Sequence, residues 1–164
     1  MKYLAAAIAA ANARMWFGDC PAVQYQENFD SDKFAGNWYE IERDAVFPFE
    51  MGQECSTQAY RSTGANSLDL YFRAYFWMAL DYKGIGGTLN QCGTSNDWTC
   101  QATMAPDGKA LDKTSPINIL ATDYDNWSVM YICAEMMGGN MQWLVGYLLQ
   151  RPDPLLISLC RAQG

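Results

Sequence analysis

Apolar and polar positions alternate along most of this chain. From residue 37 onward, segments rich in β-branched and aromatic residues are broken roughly every ten residues by Gly, Pro, Asn, Asp and Ser, the punctuation of an antiparallel all-β chain. The pattern predicts strands at 37–46, 54–62, 68–77, 84–92, 98–104, 117–122, 126–134 and 141–150. A short helix or turn is expected at Ser31-Asp32-Lys33-Phe34. Gly64-Ala65-Asn66-Ser67, Asp107-Gly108 and Asp123 to Asn126 supply turn chemistry between strands. Arg151-Pro152 ends the last strand, because proline removes a ladder donor. Asp153 and Pro154 then cap and open a short helix through Cys160. Eight consecutive strands with short hairpins suggest an up-and-down barrel, since closure removes exposed edges. A sandwich would give much the same pattern. A barrel of eight has room inside for side chains or one small ligand.

Composition narrows the function. The 164 residues fit one domain, and with 50% hydrophobic and 14% aromatic residues the chain can bury a core. A net charge of −7 argues against nucleic acid and anionic membrane surfaces, which both want basic patches. The chain has no histidine, hence neither the commonest general base nor the commonest metal ligand. Lys2, the apolar run Tyr3 to Ala11 and the small-x-small triplet Ala11-Asn12-Ala13 read as a signal peptide over residues 1–13. The run is too short to span a bilayer. That leader implies secretion or another oxidising lumenal compartment. Cysteines stand at 20, 55, 92, 100, 133 and 160. An even count behind a leader suggests three disulfides, for which sequence allows about 15 pairings. Asn126-Trp127-Ser128 is a glycosylation sequon, relevant only in a eukaryotic secretory route.

Three short motifs, in order, carry a resemblance. Gly36-Asn37-Trp38-Tyr39 follows Asn28-Phe29-Asp30, Ala121-Thr122-Asp123-Tyr124 precedes the seventh predicted strand, and Arg151 closes the eighth. Together they resemble the lipocalin family. The stretches Gln26 to Arg43 and Ile119 to Tyr124 are similar to its apolipoprotein D branch and to invertebrate lipocalins that bind bilins or carotenoids. The resemblance covers about residues 19–62 and 117–152. It implies an eight-stranded antiparallel up-and-down barrel with a short C-terminal helix, and one lipocalin domain over residues 14–164. It also implies structural roles: Trp38 filling the closed end, Arg151 lying flat across the indole, and Gly36 allowing close approach at the floor. Thr122, Asp123 and Tyr124 form the accompanying turn. Relatives join the positions of Cys20 and Cys133. They pair that of Cys55 with a cysteine in a C-terminal tail, for which Cys160 is the remaining candidate here. Cys92 and Cys100 flank Gly93 to Thr99 and would staple a hairpin tip, without family precedent.

What the resemblance implies about function is a secreted carrier with no required cofactor. Its cup would hold a small hydrophobic ligand: a fatty acid, sterol, tetrapyrrole (bilin) or carotenoid. Tyr60, Tyr147 and Leu149 carry over as ligand positions. Phe72 and Phe76 are candidates from pattern alone. Leu68, Leu70, Phe72 and Phe76 share one face of their strand, and Tyr71, Arg73, Tyr75 and Trp77 the other; both are apolar enough to face a cavity. Phe47-Pro48-Phe49 lies where a lid would fold over the cup, and Arg43, Arg61 or Arg73 would meet a carboxylated ligand. A second reading is an accessory subunit of a larger complex or a homo-oligomer, using aromatic residues with Met51, Met78, Met136, Met137 and Met141 as a protein-contact surface. A third is a lipocalin-type enzyme working through Asp69 and Asp81 or Glu40 and Glu42, which nothing in the spacing selects.

Overall fold

A computed structural model describes residues 15–16, 23–24, 26–43, 52–64, 66–90, 99–105, 114–136 and 141–161, with the side chains of most of them. The strands are β1 (Met15–Trp16), β2 (Gly36–Arg43), β3 (Gln53–Gly64), β4 (Ser67–Phe76), β5 (Asp81–Asn90), β6 (Thr99–Ala105), β7 (Thr114–Thr122), β8 (Trp127–Met136) and β9 (Met141–Gln150). Two helices accompany them, α1 (Ser31–Phe34) and α2 (Pro154–Arg161). From β2 onward every strand pairs antiparallel with the next, and β9 pairs with both β8 and β2. That return to β2 is what distinguishes a barrel from a sandwich. The two-residue β1 adds a short rung to β9. The proposed leader and the Phe47-Pro48-Phe49 segment lie outside the described residues.

The predicted strands are found with small boundary shifts. β5 and β7 each start three residues early, and β5 starts at Asp81 because the preceding turn is tight. Trp77–Leu80 reverses the chain, Ala79 N–H donates to the Phe76 carbonyl at 3.0 Å, and Leu80 takes φ 49°.

Burial follows the strand period. On β4, Leu68, Leu70 and Ala74 are buried, whereas Tyr71 and Arg73 are exposed. The face left ambiguous by the sequence is thereby assigned: Phe72 and Phe76 point inward with the leucines. Leu68, Leu89, Ile119, Met130 and Leu149 are buried in the barrel with Trp38, each contributing about 1.5–3 kcal/mol of apolar transfer for the aliphatic side chains. At the closed end, Asp30 caps α1 by accepting the Lys33 N–H at 3.0 Å. This one-turn helix delivers Phe34 against Phe29, Trp38 and Tyr60, with ring centroids 5.1, 5.1 and 4.9 Å apart.

Helix α2 lies outside the barrel. A disulfide joins Cys160 to Cys55, with a Cα separation of 5.3 Å, so the expected pair is present. A bulge between Glu54 and Thr57, with Cys55 at φ 49°, presents the β3 cysteine to the helix. The Tyr82 hydroxyl donates to the Cys160 carbonyl at 3.3 Å. Cys133 is buried and disulfide-bonded as well. Cys20, the partner the resemblance implies, and Cys92 lie outside the described residues, and of Cys100 only the backbone is described.

Candidate functional site

The floor of the barrel is a plug built from three sequence-distant pieces. The Arg151 guanidinium lies 4.0 Å above the Trp38 ring, the favourable face of an indole for a cation. Its donors are satisfied by main-chain carbonyls: Nε to Tyr124 at 2.9 Å, Nη1 to Ala35 at 3.0 Å and Nη2 to Lys33 at 2.9 Å. Burial lowers the arginine's hold on its proton, and the neighbouring Asp125 and Asp123 carboxylates oppose that. The Trp38 indole N–H donates to the Phe34 carbonyl at 3.0 Å. Gly36 sits directly beneath, at φ 121°, and a Cβ there would overlap the Arg151 guanidinium. The positive φ and the missing side chain are both required at this position.

The Thr122-Asp123-Tyr124 turn holds the arginine's carbonyl partner in place. Asp123 Oδ1 accepts the backbone N–H groups of Asp125, Asn126 and Trp127 at 3.2, 2.7 and 2.9 Å. Burial alone would raise the Asp123 carboxyl, but these bonds and the Asn126 amide outweigh it and hold the group below the usual carboxylate range. Tyr124 adopts φ 66°, and its hydroxyl accepts the Asp30 N–H at 3.0 Å. Thr122 Oγ1 donates to the Trp127 carbonyl at 2.8 Å and accepts the Tyr124 N–H at 3.0 Å. Every group of the motif is therefore spent on the fold.

Above the plug the inner wall has two chemistries. The apolar side comes from β4, β5, β8 and β9. Leu70, Phe72 and Ile85 follow one another by register on β4 and β5, facing Met130, Tyr147 and Leu149 on β8 and β9. Leu149 and Tyr147 are buried, and Phe72 and Phe76 half-buried. Tyr60 lies deepest of the proposed ligand positions. Its hydroxyl donates to Gln58 Oε1 at 2.5 Å and touches Met130 Sδ at 3.3 Å. Burial pushes this phenol well above its ordinary range, so it stays neutral.

The polar side belongs to β2 and β3. A register shift between Glu40 and Glu42 sets Glu40 opposite Leu149 and Arg43 opposite Tyr147, both partners pointing inward. Glu40 and Arg43, three residues apart, thus share the inner face, with side chains only 6% and 18% exposed and Nε 3.3 Å from Oε1. Arg43 Nη1 and Nη2 donate to Gln53 Oε1 and to the Gln53 carbonyl at 3.1 and 3.2 Å. Ser56 and Gln58 continue this wall as buried polar residues. Of the three arginines considered for the mouth, Arg43 is the one on the inner face. Arg61 stands opposite outward-facing Asp69, and Arg73 lies over the outer Tyr82 ring at 4.1 Å. Regular alternation would put positions three apart on opposite faces, so nothing in the residue pattern signals the Glu40–Arg43 pair.

Known proteins resemble this chain in sequence and in fold. No protein-family model matches the chain. Guinea-pig (Cavia porcellus) apolipoprotein D is 34% identical over 152 residues, covering 88% of this chain and 70% of that protein. The chain belongs to the apolipoprotein D family of lipocalins. Across the mammalian apolipoproteins D it matches, it spans 58% to 70% of their length. The bilin-binding protein of Pieris brassicae is 29% identical, covering 81% of this lipocalin and 69% of the butterfly protein. Insecticyanin of the tobacco hornworm Manduca sexta has the same fold, with a TM-score of 0.69 at 18% identity over 93% of this lipocalin and 80% of insecticyanin.

Proposed function

We propose that this lipocalin is a secreted carrier that holds one small apolar molecule in its cup and catalyses nothing. The observation that carries the reading is the change in burial along one face of β4. Leu68 and Leu70 are buried near the floor, while the aromatic Phe72 and Phe76 on the same face, either side of buried Ala74, are only half-buried. On this reading the lower barrel is packed and the upper barrel takes the ligand, as a concave apolar site with a few placed polar groups. Tyr147, Leu149, Phe72 and Phe76 are its apolar contacts, and Tyr60 closes its base. Fatty acids, sterols, tetrapyrroles and carotenoids are the ligand classes; relatives whose names record ligands include a bilin-binding protein. No cofactor is required, and the acid and base candidates are otherwise occupied or outside the cup. Glu40 is paired with Arg43, Asp69 faces outward by register, and Asp81 pairs with Lys83 at 2.6 Å.

The test is organic extraction of protein from its native source, followed by mass and absorbance analysis and by tryptophan-fluorescence titration with a panel of apolar ligands. A stoichiometric apolar molecule establishes the carrier. Clean protein that no ligand quenches overturns it. One observation favours a second reading, in which a protein partner or another copy docks at the rim. The β4–β5 turn exposes Trp77, Met78 and Leu80 by 54, 74 and 78%, more apolar surface than a turn needs. A large native complex with an empty cup would establish that alternative.

A further inference from the structure

Resting on the carrier reading, the geometry points to a cup that selects neutral ligands bearing a hydroxyl or carbonyl and discriminates against those that must bury a carboxylate. Each cation that register places on the inner face, among the described residues, brings its own carboxylate. Arg43 is matched by Glu40 at 3.3 Å, and its two Nη groups are committed to Gln53. Lys83, opposite Ala74 and nearer the mouth, is matched by Asp81 at 2.6 Å. Among the described residues the inner wall is therefore polar but has no net charge.

The consequence follows from desolvation. A ligand carboxylate entering the cup sheds its water and needs a cation with donors to spare. To engage Arg43 it must displace Glu40, a carboxylate tethered three residues away, and then sit beside it. A ligand hydroxyl or carbonyl meets Gln58, Ser56 and the Glu40–Arg43 pair as ordinary hydrogen-bond partners. It leaves no buried charge unpaired. Sterols, retinoid alcohols and carotenoids fit this rule; free fatty acids held head-inward do not.

Paired probes that differ only in the head group test it: retinol against retinoate, and hexadecanol against hexadecanoate, each titrated by tryptophan quenching at neutral pH. The alcohol is expected to bind at least about tenfold more tightly in each pair, one decade being the smallest preference an unpaired buried charge should impose. Glu40→Gln leaves Arg43 without its counter-charge and should shift the ratio toward the acid by about tenfold or more. Glu40→Gln combined with Arg43→Gln should restore the preference for the alcohol. Equal affinities in the unsubstituted protein, or an acid that binds better, overturn the inference while leaving the carrier intact. So does a folded Glu40→Gln variant with an unchanged ratio. If circular dichroism shows that variant unfolded, the two ratios in the unsubstituted protein decide. Binding of neither member of either pair, with the wider panel also silent, overturns both readings.

Discussion

Arg151→Ala is the sharpest probe of the plug. The substitution removes a guanidinium 4.0 Å above Trp38 and its short bonds to the Tyr124, Ala35 and Lys33 carbonyls. A cation over an indole in a partly buried site contributes about 1 kcal/mol. Hydrogen bonds from a charged donor contribute about 1.5–3 kcal/mol each when the abandoned partner stays buried. The carbonyls here are partly reached by water, so about 1 kcal/mol for each of the three is the better figure. The expected loss is about 4 kcal/mol, or about 8–16 °C in Tm for a domain of this size. Urea unfolding followed by tryptophan fluorescence and near-ultraviolet circular dichroism reads both the stability and the packing of Trp38. Arg151→Lys keeps the charge but loses the planar stack and the fork of donors, and should recover less than half of the loss. The reasoning is refuted if Arg151→Ala costs less than about 1 kcal/mol, or if lysine restores the stability in full.

Three further outcomes are expected. Gly36→Ala places a Cβ against the guanidinium at φ 121°; it should cost about 2–4 kcal/mol by the same unfolding assay, combining backbone strain with overlap. Cys160→Ser removes a cross-link spanning 105 residues, for which chain entropy sets a ceiling of about 4.8 kcal/mol. Guanidinium unfolding should show a loss of about 2–4 kcal/mol, and peptide mapping without reductant should lose the Cys55-linked fragment. Asp123→Asn probes the acid limb. Because the folded carboxyl is held below its ordinary 3.8, the stability it contributes is present above that value and disappears as pH falls through the lower, folded value. The gap in stability between the native protein and Asp123→Asn should be constant at neutral pH and close as pH drops below 3.8; a gap that widens in acid contradicts the assignment.

The fold was legible wherever a local rule operates alone. Alternation marked the strands, whereas Trp38, Asp123 and Arg151 were read as the closed end through their resemblance to lipocalin motifs, since the plug joins pieces distant in sequence. What stayed hidden depends on departures from regularity or on contacts across the fold. Aromatics on both faces of β4 gave two equally apolar choices, resolved only when neighbouring strands took one side. The reach of Cys160 to Cys55 depends on the path of α2 over the barrel and on a bulge that no residue type announces. The Glu40–Arg43 pair is hidden for the same reason: one irregular step at Ile41 changes the phase of the strand, and the two charges then face inward together.

The Cys55–Cys160 bond has a topological consequence. Strands β4 to β9 and nearly all of β3 lie between its two ends, so most of the barrel is a covalent loop rather than a linear segment. One proteolytic nick in any hairpin from β3 to β9 opens that loop without releasing a fragment, and a nicked molecule keeps its mass until a reductant is added. β2 lies outside the loop and is joined to it through the chain that leads into β3, through its ladders with β3 and β9, and through the stack of Arg151 on Trp38. Its two ladders form the seam of the cylinder, and that seam carries the Trp38 plug and the charged half of the wall.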